Sequence, residues 1–196
     1  MAARRRLSTM AAHELILGGQ RSGKSRCAEA RASAWLAQPG RTAVLLATAL
    51  AGDDEMRARI SQHRADRAQR MTGLATLEVP RDLAAALLVN TAPHRLVLVD
   101  CLTLWLTNLL MPIEGPALDD AALVAARTAL CDALTMAPGP MVLVSNEIGL
   151  GITPLTREAR RFVDELGHLH QAVAAVCASV TLMVAGIEMP VKRGGA

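Results

Sequence analysis

The chain has 196 residues, of which 52% are apolar and 20% are charged, so the composition excludes a disordered or fibrous protein. The net charge of +3 includes Arg4, Arg5 and Arg6, which leaves the rest of the chain close to neutral. Tyr is absent and only 2% of the residues are aromatic, so a base-stacking surface for nucleic acid is not expected.

Residues 1–12 are predicted to be a disordered N-terminal extension, and residues 13–196 a single globular domain. Residues 7–12 are too few and too polar to form the apolar region of a signal peptide. The longest apolar stretch, residues 172–187, contains Ser179 and Thr181 and is too short for a membrane span. We therefore expect a cytoplasmic protein without a membrane span. The cysteines lack C-x-x-C spacing and are expected to be buried, reduced thiols: Cys27, Cys101, Cys131 and Cys177.

Apolar runs of strand length alternate along the chain with longer segments of helical period, which predicts an α/β fold with a mostly parallel central sheet. The runs are rich in Val, Leu and Ile, as expected for strands that are covered on both faces. Strands are predicted at residues 14–18, 42–48, 75–79, 95–100, 141–145 and 180–185, and the signal at 75–79 is the weakest. Helices are predicted at residues 23–36, 54–70, 82–89, 102–110, 119–136 and 156–178.

A phosphate-binding loop is predicted between the first strand and the first helix. Residues 18–25 have the sequence Gly-Gly-Gln-Arg-Ser-Gly-Lys-Ser, which fits the pattern G-x-x-x-x-G-K-[ST]. Glycines let successive backbone N–H groups point at a phosphate, and the helix N-terminus adds the positive end of its dipole. Lys24 can neutralise the β and γ phosphates, and the Ser25 hydroxyl can bind Mg²⁺. About one chance match is expected per thousand chains of this composition, so the motif predicts nucleotide binding.

Two further strands end in polar residues, at the strand ends where open α/β sheets bind their ligands. One strand ends in Asp100, which is expected to hold Mg²⁺ directly or through water; capping of the following helix is a compatible alternative. Another is followed by Asn146 and Glu147 and then by the glycine-containing loop 148–154. This loop is placed to close on a substrate, and a plain surface loop is the alternative.

The predicted helix at residues 54–70 contains the histidine of most interest, His63. Acidic residues precede it at the helix N-terminus, and arginines flank it at four-residue spacing on one face. The arginines oppose protonation of His63, which favours a neutral nucleophile or general base beside a bound phosphoryl group. The alternative is a solvated basic helix face with an incidental histidine. His168 and His170 are two positions apart, so on a helix they diverge and cannot chelate one metal ion.

Together these motifs resemble the family of bifunctional adenosylcobinamide kinases/adenosylcobinamide-phosphate guanylyltransferases of cobalamin biosynthesis. The similarity spans residues 13–192, in order and with compatible gaps. The segments around His63 and Asn146 are specific to this family, whereas the phosphate loop is shared with many NTPases. The chain departs from the family at a few positions, among them His170, where the family tends to have Asn. The matching segments are residues 18–25, 47–48, 54–56, 59–64, 103, 107–110, 144–152, 154, 162, 164, 167 and 171.

The resemblance implies a three-layer, RecA-like P-loop fold, a propeller-like homotrimer and two successive reactions. In the first, ATP or GTP phosphorylates the aminopropanol hydroxyl of adenosylcobinamide. In the second, the GMP group of GTP is transferred to His63, and the phosphate of the first product attacks that adduct to give adenosylcobinamide-GDP. The catalytic residues are then His63 and Lys24, and the Mg²⁺ ligands are Ser25 and Asp100. The expected nucleotide-binding residues are Gly18, Gly19, Gln20, Arg21, Ser22, Gly23, Lys24, Ser25, Ala47, Thr48, Ala49, Arg64, Ala65, Asp66, Arg67, Glu78 and Asp100.

Two alternative functions are retained. One is a P-loop kinase for another small molecule, in which His63 has only a structural role. The other is a non-enzymatic nucleotide switch of the RecA type. A GMP label on His63 argues against the first, and phosphorylation of adenosylcobinamide argues against the second.

Overall fold

The computed structural model describes residues 12–52, 54, 57–58, 61–62, 65, 71 and 74–194. Within them, seven strands form one sheet in the order β3-β2-β4-β5-β1-β6-β7. Neighbouring strands are parallel throughout, except that β7 pairs antiparallel with β6. The strands are β1 (Glu14–Gly18), β2 (Thr42–Ala47), β3 (Ala75–Glu78), β4 (Arg95–Asp100), β5 (Met141–Asn146), β6 (Ser179–Val184) and β7 (Ile187–Lys192).

Five helices connect these strands in the described part of the chain. Two of them begin at a side-chain cap, because Asp119 accepts a hydrogen bond from the Ala122 N–H and Thr156 accepts one from the Ala159 N–H. Both caps lie where the sequence predicts a helix to start. The helices are α1 (Lys24–Leu36), α2 (Leu83–Asn90), α3 (Leu102–Leu110), α4 (Asp120–Met136) and α5 (Arg157–Val176).

The two faces of the sheet are covered by different helices. In β1, the neighbours Leu15 and Ile16 point to opposite faces and are both fully buried, each in a separate apolar cluster. Helices α2 to α5 pack on the side of Leu15. Helix α1 packs on the other side through Cys27, Ala28 and Ala32. The α/β fold with three layers and a mostly parallel sheet is therefore confirmed.

The predicted elements agree closely with the observed ones. All six predicted strands are present, and their ends differ from the predictions by at most one residue. Five of the six predicted helices are present, with ends that differ by at most two residues. Of the helix predicted at 54–70, residues 54, 57–58, 61–62 and 65 are helical and the others lie outside the described residues, as do residues 1–11 of the predicted extension.

Strand β7 is the element that the sequence analysis does not predict. It forms a hairpin with β6 through Ala185 and Gly186, which both have positive φ (51° and 81°). The Gly186 N–H donates a hydrogen bond to the Ser22 carbonyl oxygen at 3.0 Å. The turn of this hairpin therefore lies against the phosphate loop and supports it.

No helix among the described residues is long and apolar enough to cross a membrane. All four cysteines are free, and Cys27, Cys101 and Cys177 are buried as predicted. The prediction is wrong for Cys131, which is only half-buried because it lies on α4 near the surface of the helical layer.

Candidate active site

The predicted phosphate loop connects β1 to α1 in a conformation that depends on its glycines. Gly18 and Gly23 have φ of 153° and 102°, a region that other residues rarely adopt. A Cβ atom on Gly18 would also lie 2.5 Å from the Met183 carbonyl oxygen. The loop closes on itself through a hydrogen bond from the Ser22 N–H to the Gly19 oxygen at 3.3 Å. The Ser22 hydroxyl is buried and has no hydrogen-bond partner among the described residues.

Lys24 lies across this loop at the first position of α1. Its side chain is buried, and its Nζ donates a hydrogen bond to the Gly19 carbonyl oxygen at 2.6 Å. Burial lowers the pKa of Lys24, and the neighbouring Cys101 and Asp100 act in the opposite direction. A partly desolvated ammonium group held at the mouth of a glycine loop is well suited to interact with phosphate oxygens.

Ser25 and Asp100 line the same small cavity, between α1 and the ends of three strands. Glu29, one helical turn beyond Ser25 and buried, lines it as well. A hydroxyl and carboxylates are the oxygen ligands that Mg²⁺ prefers, so this set of side chains fits a Mg²⁺ ion bound with a nucleotide. The structure thus brings the two predicted metal ligands together, and their role as ligands stays a prediction.

Two more of the predicted contacts, Ala47 and Glu78, lie along the carboxyl edge of the sheet. The register pairs Ala47 of β2 with Glu78 of β3 on one side and with Asp100 of β4 on the other. In the same way, Gly18 at the end of β1 pairs with Asn146 at the end of β5. Because parallel strands end at one edge, the phosphate loop and these residues face a common crevice, as in other open α/β sheets.

Thr48 directly follows β2 and is fully buried. Its Oγ1 donates to the Cys101 carbonyl oxygen at 2.7 Å and accepts from the Cys101 N–H at 2.9 Å. Its own N–H donates to the Asp100 oxygen at 3.0 Å, and its carbonyl oxygen accepts from Asn108 at 2.7 Å. All polar groups of Thr48 are therefore engaged within the protein, and its observed role is to hold the end of β2 against the start of α3.

The remaining predicted contacts are distributed as follows. Gly19, Gln20 and Arg21 are exposed at the tip of the phosphate loop. Ala49 is half-buried beside Thr48, and Ala65 is exposed and helical. The other predicted residues of the histidine segment lie outside the described residues: His63, Arg64, Asp66 and Arg67.

Comparison with known proteins decides the family of this chain. The family model described as cobinamide kinase / cobinamide phosphate guanyltransferase matches residues 14–191. The chain belongs to this family. It is 50% identical over 179 residues to the bifunctional adenosylcobalamin biosynthesis protein CobP of Pseudomonas aeruginosa, which covers 91% of this chain and 96% of that protein. It is 37% identical over 186 residues to the bifunctional adenosylcobalamin biosynthesis protein CobU of Escherichia coli, which covers 91% and 98%.

Solved structures of more distant proteins share the fold. A Pyrococcus horikoshii OT3 protein superimposes with a TM-score of 0.54 at 8% identity, covering 93% of this chain and 86% of that one. The flagellar accessory protein FlaH of Methanocaldococcus jannaschii gives a TM-score of 0.51 at 9% identity, covering 93% and 79%. At these identities the likeness concerns the fold alone. The resemblance to the kinase/guanylyltransferase family predicted from the motifs is confirmed by the family match.

A buried chain of hydrogen bonds behind the carboxyl edge is a feature of this family member that sequence reasoning missed. His170 of α5 contacts the Ser145 hydroxyl at 2.8 Å, and that hydroxyl contacts Thr103 Oγ1 at 3.0 Å. Thr103 Oγ1 also accepts a hydrogen bond from the Asn146 N–H at 2.7 Å. The sequence signal for this chain of hydrogen bonds is a polar residue in each of two otherwise apolar segments, Ser145 in β5 and Thr103 in α3. His168, in contrast, is exposed, so the predicted divergence of the two histidines is confirmed.

Glu147 extends this hydrogen-bond chain toward the phosphate loop. Its backbone N–H donates to the Gly18 carbonyl oxygen at 2.9 Å, which ties the end of β5 to the start of the loop. One carboxylate oxygen accepts from the Gly149 N–H at 2.6 Å, and the other lies 3.5 Å from His170 Nδ1. The polar groups at the end of β5 are therefore connected to His170 of α5 and to Thr103 of α3.

The loop predicted to close on a substrate is exposed and apolar in the structure. Leu150, Ile152 and Leu155 are each more than four-fifths exposed. A shallow groove runs between this loop and the first turns of α5, lined by Pro154, Arg160 and others. The loop therefore has the exposure that substrate or partner contact requires, and its closure stays a prediction.

Lowering the pH below about 6.5 is expected to destabilise the fold through His170. Burial lowers the pKa of His170, and Glu147 opposes this shift only in part. The unfolded chain then binds a proton that the folded chain resists, so stability is present above the unfolded pKa and is lost as the pH falls. Each such proton lowers the free energy of unfolding by up to about 1.4 kcal/mol per pH unit. Burial acts in the same direction on His13, which adds to the effect.

The measurement is the Tm as a function of pH, from roughly pH 5.5 to 7.5. His170→Asn introduces the family's residue and should make the Tm less dependent on pH than in the wild type. His168→Asn, two positions away and exposed, should leave the pH dependence unchanged. Equal pH dependence in the wild type and in His170→Asn would show that burial of this imidazole has no energetic consequence.

Proposed function

We propose that this chain phosphorylates adenosylcobinamide and then converts the phosphorylated product to adenosylcobinamide-GDP through a guanylyl group on His63. The main support is the phosphate loop with Lys24 and Asp100 at the carboxyl edge of the sheet, in a chain of the cobinamide kinase / cobinamide phosphate guanyltransferase family. ATP or GTP is the proposed donor in the first step, and GTP is the donor in the second.

In the kinase step, the loop and Lys24 hold the β and γ phosphates of the donor. The aminopropanol hydroxyl oxygen attacks the γ-phosphorus, and the bond from that phosphorus to the β,γ-bridging oxygen breaks. ADP or GDP leaves, and the hydroxyl proton passes to a base or to solvent. Catalysis of this kind is mostly a matter of positioning and charge, because the transition state is loose and spreads its charge over phosphate oxygens.

In the nucleotidyl-transfer step, the same loop holds the β and γ phosphates of GTP as the leaving pyrophosphate. A ring nitrogen of His63 attacks the α-phosphorus, and the bond to the α,β-bridging oxygen breaks. A phosphate oxygen of the first product then attacks the same phosphorus, the P–N bond breaks, and His63 is regenerated. A neutral imidazole is required as nucleophile, and nearby arginines would keep it neutral and bind the phosphoryl oxygens.

Ser25 and Asp100 are the residues proposed to hold Mg²⁺, and the buried Glu29 lines the same cavity. When bound, Mg²⁺ neutralises charge on the phosphates and orients them. The family resemblance extends the proposal to a homotrimer, and sedimentation of the full chain would establish its oligomeric state.

The proposed function is tested by the products and by the protein itself. The full chain is incubated with adenosylcobinamide, GTP and Mg²⁺, and the products are separated by chromatography and identified by mass spectrometry. Adenosylcobinamide-phosphate and adenosylcobinamide-GDP are both expected. In a parallel reaction without the cobinamide, α-³²P-GTP should label the protein through an acid-labile, alkali-stable bond, and γ-³²P-GTP should not.

The outcomes separate the alternative functions. A kinase for another small molecule would bind nucleotide and leave adenosylcobinamide unchanged. A nucleotide switch would bind GTP and form neither product. Formation of adenosylcobinamide-GDP without any α-label on the protein during turnover would contradict the covalent step alone.

A further inference from the structure

The side chain of Asn108 joins two loops that are far apart in the sequence. Its Nδ2 donates to the Thr48 carbonyl oxygen at 2.7 Å and to the Pro80 carbonyl oxygen at 3.0 Å. The side chain is buried in α3, with 7% of its surface exposed. Both partners are carbonyl oxygens, which only accept hydrogen bonds, and the two N–H groups of the amide nitrogen satisfy both.

These two contacts lie at the two ends of the segment that contains His63. Thr48 directly follows β2, and Pro80 comes two residues after β3. A second side chain of α3 holds the C-terminal end of this segment, after β3, because Trp105 Nε1 donates to the Arg81 carbonyl oxygen at 2.7 Å. Helix α3 itself begins after Asp100, so the helix that follows one predicted metal ligand also holds both ends of residues 49–79.

We propose that Asn108 is a positioning residue for nucleotidyl transfer, which fixes both ends of the His63 segment relative to the phosphate loop. This inference rests on the proposed role of His63. In-line attack on the α-phosphorus requires the imidazole within about 3–3.5 Å of that atom, and small misplacements of a reacting group cost up to about 10²-fold in rate. The proposed kinase step uses the loop and the cobinamide hydroxyl and does not involve His63, so it depends less on the hydrogen bonds of Asn108.

The two hydrogen bonds donated by Asn108 can be tested by two substitutions. Asn108→Asp keeps the shape but places a carboxylate oxygen, an acceptor, against two carbonyl oxygens. Asn108→Leu keeps the branching at Cγ, removes the donor from both carbonyl oxygens and introduces no buried charge. In both variants we expect guanylyl transfer to fall about 10-fold to 10²-fold relative to phosphorylation of adenosylcobinamide.

The experiment compares the two activities of each full-length variant with saturating GTP. The rate of α-³²P labelling of the protein, the rate of adenosylcobinamide-GDP formation and the rate of phosphorylation are measured in one preparation. Hydrogen exchange of peptides that span residues 74–82 is followed as well. The Val79 N–H donates to the Ala47 oxygen at 2.8 Å, so its exchange rate shows how firmly the C-terminal end of the segment is held. We expect faster exchange there and unchanged exchange in β1 and β5.

Asn90→Asp is the matched control. Asn90 Nδ2 donates to the Ala86 oxygen within its own helix at 2.8 Å and bridges no separate segments. This variant should keep the wild-type ratio of the two activities. An equal fall of both activities in the Asn108 variants, or failure of both to fold, would assign Asn108 to general stability and overturn the inference. If the wild-type chain forms no adduct, the proposed role of His63 is wrong. If the wild type and the Asn108 variants are labelled at the same rate, only the proposed role of Asn108 is wrong.

Discussion

Replacing Lys24 by alanine is expected to lower phosphorylation and guanylyl transfer together, each by on the order of 10²–10³-fold. The reason is that, in the proposed function, one loop holds the β and γ phosphates in both reactions. The buried ammonium group of Lys24 lies 2.6 Å from the Gly19 oxygen, at the mouth of that loop. The measurement is the initial rate of each product, with GTP at saturation, normalised to the amount of folded protein.

The other lysine of the chain provides the control. Lys192 Nζ donates to the Ala174 and Cys177 carbonyl oxygens at 2.8 and 2.6 Å, at the C-terminus of α5. Lys192→Ala should lower the Tm and leave both rates of the folded protein near those of the wild type. If Lys24→Ala abolished one activity and spared the other, two separate triphosphate sites would be required, and the single-loop proposal would be wrong.

Most of the fold was predictable because its elements have strong local signals. The strand before the phosphate loop and the strand that ends in Asp100 are continuous apolar runs bounded by turn or polar residues. The helices that begin at Asp120 and Arg157 are each preceded by a capping side chain, Asp119 and Thr156. Because the strands are parallel, the phosphate loop after β1 and Asp100 at the end of β4 lie at the same edge of the sheet.

Strand β7 was not predictable with the same rules. Ile187, Met189 and Val191 alternate with polar residues or proline, but Pro190 argues against a strand in the interior of a sheet. In the structure, β7 is an edge strand with every residue exposed, where a proline is tolerated. The pairing of β7 with β6 also contains a register shift near Thr181, which the sequence does not reveal.

The contacts that hold the site together were not predictable either, because they depend on tertiary neighbours. The resemblance identifies Thr103 and Asn108 as matching positions, but not their hydrogen-bond partners. Asn108 meets Thr48 and Pro80 only because the sheet order places β2 between β3 and β4. The sequence indicates which polar residues lie near the edge, and the fold determines their hydrogen-bond partners within the protein, as for Thr48.

The proposed function requires one site to act on two phosphorus atoms of a triphosphate. A loop that holds the β and γ phosphates leaves the γ-phosphorus open to a hydroxyl nucleophile and the α-phosphorus open to a second nucleophile from another direction. The phosphate loop lies at the end of β1, whereas the histidine segment joins β2 to β3, on the far side of β4 and β5 in the sheet. In the proposed function the histidine therefore comes from a different part of the sheet than the phosphate loop, and we expect the two activities to be separable by mutation.

Replacing His63 by alanine is therefore expected to abolish guanylyl transfer while phosphorylation of adenosylcobinamide persists near the wild-type rate. The variant lacks the nitrogen that would attack the α-phosphorus but keeps the phosphate loop, Lys24 and Asp100. We expect adenosylcobinamide-phosphate to accumulate, with adenosylcobinamide-GDP lowered by at least about 10³-fold, since loss of a covalent nucleophile removes the reaction path and not just one contact. Chromatography of the products, with intact-mass measurement of the protein after mixing with GTP and Mg²⁺, gives both results from one sample.

His94→Ala is the control, because His94 is an exposed histidine before β4. It should retain both products and the mass increase of one GMP group that the wild type shows. If His63→Ala still produced adenosylcobinamide-GDP at the wild-type rate, GTP would react directly with the phosphorylated substrate, and His63 would have no covalent role. If it lost both activities while remaining folded, the histidine segment would instead be needed for binding the triphosphate itself, and the separation of the two steps between β1 and the β2–β3 connection would be wrong.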